Sequence, residues 1–297
     1  MSGRLGVLVA VVAVVVVASV VSCGPSVTPS PSTTSAGPSG SAGSASTSDS
    51  TEPAVTGSRG SVALTVFGAA SLTTALEQLE ASYEADHPGT TLTISTGSSA
   101  ALETQIEQGA PADVFLSADI TNPKKLVDTG LADGDVVNFA GNVLTVVVPT
   151  DNPGGLTSPA DLAKPGLKVI AASDDVPITT YATQAVGLLA KTEGYPAGFA
   201  AAYAANVVSK EDDVQAVVAK IELGEGDAAI VYVTDARASS KVASIAIPAN
   251  ANVPAVYGGV VVKASPNVAA AHAFLDWLTG AEAQLILAKL GFTEPAS

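Results

Sequence analysis

Small hydroxyl side chains recur where a strand pattern changes into a helical one. Ser71 follows the strand-like run Leu64–Phe67, and Ser98 and Ser99 follow a second such run, Thr91–Ser95. The first turn of a helix has backbone N–H groups without intrahelical partners and carries the positive end of the helix dipole. A hydroxyl placed there points at the same spot as those groups, which suits an anion. The alternative for Ser71 is that it only caps its helix.

Two more helix starts could offer unpaired backbone N–H groups to an anion in the same way. Pro177 opens one of them, in a first turn where its missing N–H does no harm. Acids precede Val214 at the other, where one of them can cap the helix. Lys and Arg are absent from all four helix-start segments, 64–79, 95–106, 174–181 and 211–218. Hydroxyls and helix-end amides without cations suit a fully ionised dianion, held by hydrogen bonds worth about 1.5–3 kcal/mol each.

Tyr232 is the one phenol in the run Ile230-Val-Tyr-Val-Thr-Asp235, which is otherwise β-branched up to its final acid. A phenol in a strand is either a half-buried core residue with a satisfied hydroxyl or a ligand-binding group. The sequence alone favours the core residue.

Enzymatic chemistry finds little support. The Asp pairs at 174–175 and 212–213 could act as acid and base, but a helical pattern follows each pair, so capping is the simpler explanation. His87 and His272 have no second ligand or nucleophile at a useful spacing, and Cys23 is the only cysteine. No phosphate loop, nucleophile elbow or dinucleotide fingerprint occurs in the sequence. We therefore predict no catalytic residue, no metal site formed by side chains and no cofactor.

The N-terminal region differs from the rest of the chain. Residues 1–22 have Arg4 followed by an apolar run, the form of a signal peptide, with an uncleaved membrane anchor as the alternative. Residues 23–61 are rich in Ser, Pro and Gly and contain too few large apolar side chains to offset the entropy of ordering. We predict a flexible spacer there.

The net charge of −15, from 13 Lys and Arg against 28 Asp and Glu, is strongly acidic. It argues against binding to nucleic acid and against electrostatic attachment to anionic lipid. An anion site in this chain must overcome that field locally.

Apolar runs alternate with helical patterns after residue 62. The strand-like runs are Leu64–Phe67, Thr91–Ser95, Val114–Ser117, Val143–Val148, Lys168–Ala171, Ala228–Val233 and Val256–Val262. The helical patterns lie near 72–86, 99–108, 121–129, 178–191, 196–205, 213–223 and 266–290. This alternation predicts an α/β fold with largely parallel sheets. The long apolar runs Val143–Pro149 and Tyr257–Val262 suggest two crossings between lobes, with 62–145 plus 252–297 as lobe 1 and 146–251 as lobe 2.

A set of short motifs extends through residues 62–297. They are Thr65-Val-Phe-Gly-Ala-Ala-Ser-Leu-Thr73, Gly97-Ser-Ser99, Gly109-Ala-Pro-Ala-Asp-Val-Phe-Leu-Ser-Ala-Asp119, Gly141-Asn142, Glu211-Asp-Asp-Val214, Ile230-Val-Tyr-Val-Thr-Asp235 and the segment from Tyr257 to Thr293. Together they resemble the molybdate-binding proteins of bacterial ABC importers. The resemblance implies a periplasmic-binding-protein-like fold of two α/β lobes with a ligand cleft between them.

The resemblance also implies the ligand-binding groups. The hydroxyl donors fall on Ser71, Ser99 and Tyr232, with Ser98 as the near alternative to Ser99. The main-chain donors fall on the amides of Ile178 and Val214, and the amide of Ala118 is a weaker candidate. One extra Asp before Val214 leaves the register of that amide open by one residue.

The function implied is that of an extracytoplasmic solute-binding lipoprotein, not an enzyme. It would bind molybdate, and tungstate as well, by hinge closure of its lobes and deliver the anion to a membrane permease. Molybdenum would be bound only as the oxyanion. Cys23 resembles a lipobox cysteine, which implies a lipid anchor on the outer face of the cell membrane for a protein that we expect to be a monomer. The alternatives are the same fold with sulfate, phosphate or a small organic acid as ligand, and an envelope enzyme using the acid pairs.

Overall fold

The computed structural model describes residues 61–295. The predicted signal peptide (1–22) and the predicted lipidation site at Cys23 lie outside the described residues, as does the predicted spacer except for Ser61. Within 61–295, every helix is too short or too polar to cross a bilayer.

Residues 61–295 form two five-stranded sheets with helices packed against them. The strands are β1 (Val62–Ala69), β2 (Thr90–Gly97), β3 (Val114–Ser117), β4 (Ala132–Asn142), β5 (Leu144–Pro149), β6 (Val169–Ala172), β7 (Val207–Glu211), β8 (Ala228–Tyr232), β9 (Val242–Ala246) and β10 (Ala255–Val262). The α-helices are α1 (Thr73–Asp86), α2 (Ser99–Glu107), α3 (Thr121–Asp128), α4 (Pro177–Leu189), α5 (Phe199–Asn206), α6 (Val214–Glu222), α7 (Val233–Ala238), α8 (Val268–Leu278) and α9 (Ala281–Leu290). Single 3₁₀ turns cover Ala70–Leu72 and Pro159–Ala163.

The two sheets share one topology. The first has the order β2-β1-β3-β10-β4 and the second has the order β7-β6-β8-β5-β9. In each sheet, one strand, β10 or β5, arrives from the other sheet and lies between the third and fourth local strands. The chain therefore passes between the sheets twice, once at Val143 and once between β9 and β10.

The prediction of largely parallel sheets is wrong. In the first sheet β1 pairs in parallel with β2 and β3, but β10 is antiparallel to β3 and β4. The second sheet repeats this division, with β6 parallel to its neighbours and β5 antiparallel to its neighbours. A parallel pairing needs a crossover above the same sheet, whereas the two strands that enter from the other sheet have no such requirement.

Three strands were not predicted, and all three lie at sheet edges. They are β4, β7 and β9. An edge strand is partly exposed, so it lacks the continuous apolar run that marks a buried strand. The short helix α7 was also missed, and the helical pattern at 266–290 is two helices that are separated at Thr279 and Gly280.

The parallel strands of both sheets end at the same region of the molecule. In the first sheet β1, β2 and β3 run into Ala70, Ser98 and Ala118. In the second sheet β6, β7 and β8 lead to α4, α6 and α7. Ligands of open α/β sheets bind outside the carboxyl ends of the strands, and this geometry positions the candidate site.

Candidate functional site

One cavity lies between the carboxyl ends of the two sets of strands. It is small and partly open to solvent. Its lining residues are Ala69, Ala70, Ser71, Gly97, Ser98, Ser99, Ala118, Val176, Pro177, Ile178, Asp213, Val214 and Tyr232. All seven residues that we predicted to bind the ligand are among them, although they are spread over more than half of the chain.

Ser71 does not cap a helix, so the capping interpretation is wrong. It lies inside the 3₁₀ turn, while α1 begins at Thr73 and has Leu72 at its N-cap position without a side-chain cap. The Ser71 Oγ is instead 2.9 Å from the Tyr257 hydroxyl. Ser71 is buried, and this contact fixes its hydroxyl at the cavity wall.

The second serine pair lies at the start of α2. Ser98 occupies the N-cap position without making a side-chain cap bond, and Ser99 is the first helical residue. The Ser99 Oγ accepts a hydrogen bond from the Ala118 N–H at 3.1 Å. The Ala118 amide, the weaker of our candidates, is therefore directed at Ser99.

Two hydroxyls in the cavity have no hydrogen-bond partner. Among the described residues, the buried side-chain oxygens without a partner are those of Ser98, Tyr232 and, outside the cavity, Glu103. Tyr232 is only 1% exposed, so the interpretation of this phenol as a half-buried residue with a satisfied hydroxyl is wrong. An unpaired buried hydroxyl costs free energy, and that cost is removed when an acceptor enters the cavity.

The second sheet contributes helix starts. Ile178 is the second residue of α4, after Pro177, and Val214 is the first residue of α6. Amides at these positions have no carbonyl partner within their own helix. Asp213 is the N-cap of α6, where its Oδ1 accepts from the Ala216 N–H at 2.9 Å, so the predicted capping by the acid pair 212–213 is confirmed. The predicted capping by the pair 174–175 is wrong, because the N-cap of α4 is Val176, which makes no side-chain cap bond.

The cavity lining contains no Lys, Arg or His. Burial raises the pKa of Tyr232 well above its ordinary value, so its phenol keeps its proton at neutral pH.

Behind Tyr232, the Asp235 carboxyl accepts from the Tyr232 N–H at 3.1 Å. Burial, together with the nearby charge of Asp213, raises the pKa of Asp235 to about 8 despite opposing hydrogen bonds from Tyr232 and Gln215. The proton that Asp235 keeps at neutral pH removes a negative charge from beside the cavity.

Two residues behind the cavity were not predicted to have a role in the site. Tyr257 and Asn142 are both buried, and the Asn142 Nδ2 is 3.3 Å from the Tyr257 hydroxyl. Each lies in one of the short motifs that carry the family resemblance. The sequence feature that could have identified them is a polar side chain at the start of each long apolar run, Val143–Pro149 and Tyr257–Val262.

The other groups with possible chemistry lie outside this cavity. Asp174 forms an exposed ion pair with Lys210, and the His272 Nε2 is 2.8 Å from the Asp133 Oδ1. His87 stacks on Tyr83. Within residues 61–295, no cluster of three or more His, Cys, Asp or Glu side chains is arranged to hold a metal ion.

Residues 64–293 match the family model described as bacterial extracellular solute-binding protein. The chain belongs to this family. The solute-binding protein is also similar to the molybdate-binding protein ModA of Mycobacterium tuberculosis, with 34% identity over 241 residues that cover 80% of this chain and 87% of the relative.

Solved structures show the same fold as this solute-binding protein. The periplasmic molybdate-binding protein of Azotobacter vinelandii superposes with a TM-score of 0.67 at 28% identity, covering 78% of this chain and all of that one. The sulfate-binding protein SubI of Mycobacterium tuberculosis superposes with a TM-score of 0.69 at 22% identity, covering 80% of this chain and 88% of that one. The second likeness concerns the fold alone. The fold class that we predicted, two α/β lobes of the periplasmic-binding-protein type, is confirmed.

Proposed function

We propose that this solute-binding protein captures molybdate in the cavity between its sheets, accepts tungstate as well, and delivers the anion to an ABC-importer permease. The observation that carries the proposal is a pair of buried hydroxyls, Ser98 and Tyr232, that have no hydrogen-bond partner within residues 61–295, in a cavity whose lining residues include no Lys, Arg or His. Hydroxyls that lack acceptors are matched by a ligand that offers only acceptors, and a tetrahedral dianion is such a ligand.

The donor set supports an oxyanion over an organic solute. Ser71, Ser99 and Tyr232 supply hydroxyls, and the starts of α4 and α6 supply main-chain amides at Ile178 and Val214. These donors surround one small cavity from both sheets. Hydrogen bonds to a charged acceptor are worth about 1.5–3 kcal/mol each, so several together can offset the desolvation of a dianion.

The likeness to known molybdate-binding proteins supports molybdate among the oxyanions. The Mycobacterium relative is one such protein, and the Azotobacter protein with the same fold is another. The same resemblance supports delivery to a permease and a role in transport instead of catalysis. The SubI likeness is too distant to favour sulfate.

Closure of two lobes is the proposed mechanism. We take the lobes as predicted, 62–145 with 252–297, and 146–251, except that β5 pairs within the second sheet from Leu144 on, so the first boundary lies at the Val143 crossing. The second crossing precedes β10. The first lobe contributes Ser71 and Ser99, and the second contributes Ile178, Val214 and Tyr232, so bound anion would hold the lobes together.

The protein would act as a monomer, tethered through lipid on Cys23. Loss of membrane association in Cys23→Ala, with the soluble form still binding molybdate, tests the anchor.

Isothermal titration of the full chain with molybdate tests the function. Saturable one-to-one binding is expected, with tungstate as a competitor and with sulfate and phosphate much weaker. Tighter binding of sulfate or phosphate than of molybdate would mean that the site binds an oxyanion, but not the one that we propose. No saturation by any of these anions at workable concentrations would refute the proposal.

A further inference from the structure

We infer that a second cavity between the lobes is an anion site built by Arg237 and Lys289, and that a small polyvalent oxyanion bound there stabilises the closed form. The effect on the lobes rests on the proposed function, whereas the binding of the anion does not. The second cavity has a volume of about 210 Å³. Since a water takes up about 30 Å³ of the liquid, a tetrahedral oxyanion and several waters fit within it.

Both lobes line the second cavity. Helices α1 and α9 and the 3₁₀ turn before α1 contribute from lobe 1, and α6 and α7 contribute from lobe 2. The lining residues are Ser71, Thr74, Ala75, Gln215, Thr234, Asp235, Arg237, Ala238, Lys289, Leu290 and Phe292. Ser71 is the one residue shared with the first cavity, which lies between the ends of the strands. An anion in the second cavity would therefore contact both lobes without occupying the first cavity.

Two cations from different lobes converge on this second cavity. Arg237 lies in α7 and Lys289 lies in α9. A Cβ on Gly291 would lie 3.0 Å from the Arg237 Cζ, so the guanidinium reaches across to the end of α9, close to Lys289 in the chain. Because like charges repel, this convergence costs free energy, and an anion between the two cations would remove that cost.

Neither cation has an acid as its partner. Within residues 61–295, the ion pairs are formed by His272 and by six lysines, and neither Arg237 nor Lys289 is among them. This is unexpected in a chain with 28 Asp and Glu against 13 Lys and Arg. Each cation lies in the last turn of its helix, where it also favours the helix dipole. The dipole explains a cation at each helix end, but not why both line one cavity.

The acid that lines the second cavity does not neutralise these cations. The Asp235 carboxyl accepts from the Tyr232 N–H and from the Gln215 Nε2, each at 3.1 Å. Burial raises the pKa of Asp235 to about 8, so at neutral pH this carboxyl stays mostly protonated and uncharged. Arg237 and Lys289 therefore give the cavity a net positive charge in a strongly acidic chain.

The donors of the second cavity define the class of ligand. A guanidinium forms two parallel hydrogen bonds with a phosphate or carboxylate group, and an ammonium adds a point charge. The Thr234 Oγ1 accepts from the Asn142 Nδ2 at 2.8 Å, so its own proton is available to a further acceptor. This set suits a small oxyanion with more than one negative charge, and inorganic phosphate is the probe that we choose.

Molybdate affinity measured with and without phosphate tests this inference. Isothermal titration of the full chain at pH 7 is performed in phosphate buffer and in a phosphate-free buffer of equal ionic strength. An anion that bridges the lobes should raise molybdate affinity by about 5-fold or more, the lower range of coupling between two sites. Phosphate that competes for the first cavity would lower the molybdate affinity instead, so the sign of the effect separates the two cavities.

Variants of the two cations assign the effect to the second cavity. In Arg237→Gln and in Lys289→Gln, the ratio of molybdate affinities with and without phosphate should fall to about one, because half of the positive charge is lost. Arg237→Lys keeps the charge but loses the paired donors, so it should retain part of the gain. Lys191→Gln is the matched control, since it removes an exposed cation just after α4 that lines neither cavity. This control should keep the whole gain.

The outcomes distinguish this inference from the proposed function. A molybdate affinity that phosphate lowers or leaves unchanged, or a gain that survives in Lys289→Gln, would overturn the inference while molybdate binding by the parent chain stands. Absence of molybdate binding by the parent chain would refute the function, and the second cavity is then tested by itself. Phosphate should still raise the unfolding temperature of the parent more than that of Lys289→Gln. Equal shifts in the two proteins would overturn the second site.

Discussion

The Ser99 Oγ accepts a hydrogen bond from the Ala118 N–H at 3.1 Å, across 19 residues of sequence. This contact joins the first residue of α2 to the residue that follows β3, and both line the cavity. It leaves the Ser99 hydroxyl proton free for a ligand and removes the Ala118 amide from the set of free donors. Ser99 is therefore the group to test at this point of the site.

Replacement of Ser99 by Ala should weaken molybdate binding by about 10- to 150-fold, because a hydrogen bond to a charged acceptor is lost. The same replacement at Ser209, an edge-strand residue whose hydroxyl bonds Glu211 away from the cavity, should leave the affinity unchanged. Isothermal titration measures both. Equal affinity of Ser99→Ala and the parent chain would remove Ser99 from the site.

Tyr232→Phe should weaken binding to a similar degree and should also stabilise the ligand-free protein. The parent phenol is buried and has no hydrogen-bond partner in the part of the chain that the structure describes, so its deletion relieves a cost of about 1–3 kcal/mol in the free state. Urea unfolding without anion measures the gain, and titration measures the loss. A Tyr232→Phe protein that is less stable than the parent and binds molybdate with equal affinity would contradict this prediction. The Tyr232 hydroxyl would then have a hydrogen-bond partner in the free protein and make no contact with the anion.

Asp235 should make stability depend on pH. Its pKa in the folded protein is raised to about 8 from an ordinary 3.8, so between these values the folded state holds a proton that the unfolded state has lost. This contribution to stability is complete at about pH 4 and declines as the pH rises to about 8.

Asp235→Asn should flatten that decline, because the amide cannot ionise. Urea unfolding from pH 5 to pH 8 should show the free energy of unfolding of the parent falling relative to Asp235→Asn, by an amount on the order of a few kcal/mol. Asp212→Asn, at an exposed position beside Asp213 in the acidic segment 211–213, should follow the parent curve. Parallel curves for the parent and Asp235→Asn would show that Asp235 is ionised when folded.

Gly141 allows the C-terminal segment to pack beside β4. The Gly141 N–H and carbonyl both bond to Thr293, at 2.7 and 2.9 Å, and a Cβ on Gly141 would lie 2.6 Å from the Glu294 carbonyl oxygen. Gly141→Ala should therefore destabilise the protein by about 1–3 kcal/mol.

Gly187→Ala is the control for that substitution. Gly187 lies within α4, where a Cβ would meet nothing within 4 Å. Alanine there should stabilise the protein by up to about 1 kcal/mol. Thermal unfolding of the two variants should shift in opposite directions. A Gly141→Ala protein as stable as the parent would mean that the C-terminal segment does not pack against this residue.

The sequence predicted which residues line the cavity better than it predicted their hydrogen-bond partners. Ser71 and Ser99 were identified because each follows a strand-like run at a helix start, whereas Tyr232 was identified only through the family resemblance. The partner of Ser71, however, is Tyr257, which is 186 residues away. No local pattern specifies such a contact, so the capping interpretation of Ser71 was wrong.

The burial of Tyr232 was underestimated for a similar reason. A phenol among β-branched residues predicts a strand, but whether its hydroxyl finds a partner depends on elements from both lobes. The edge strand β4 was missed because Asp, Asn and Gly interrupt the apolar residues of its sequence, Ala132 to Asn142, and because pairing with β10 holds it in place. The interior strands were predictable because burial on both faces requires continuous apolar runs.

The most direct test of molybdate capture in this cavity is a crystal of the protein grown with molybdate, in which the molybdenum is located by its anomalous scattering. We predict one strong peak in the cavity, with oxyanion oxygens at hydrogen-bond distance, about 2.7–3.2 Å, from Ser71, Ser99 and Tyr232 and from the amides of Ile178 and Val214. A peak elsewhere, or an empty cavity in a crystal saturated with molybdate, would contradict this prediction.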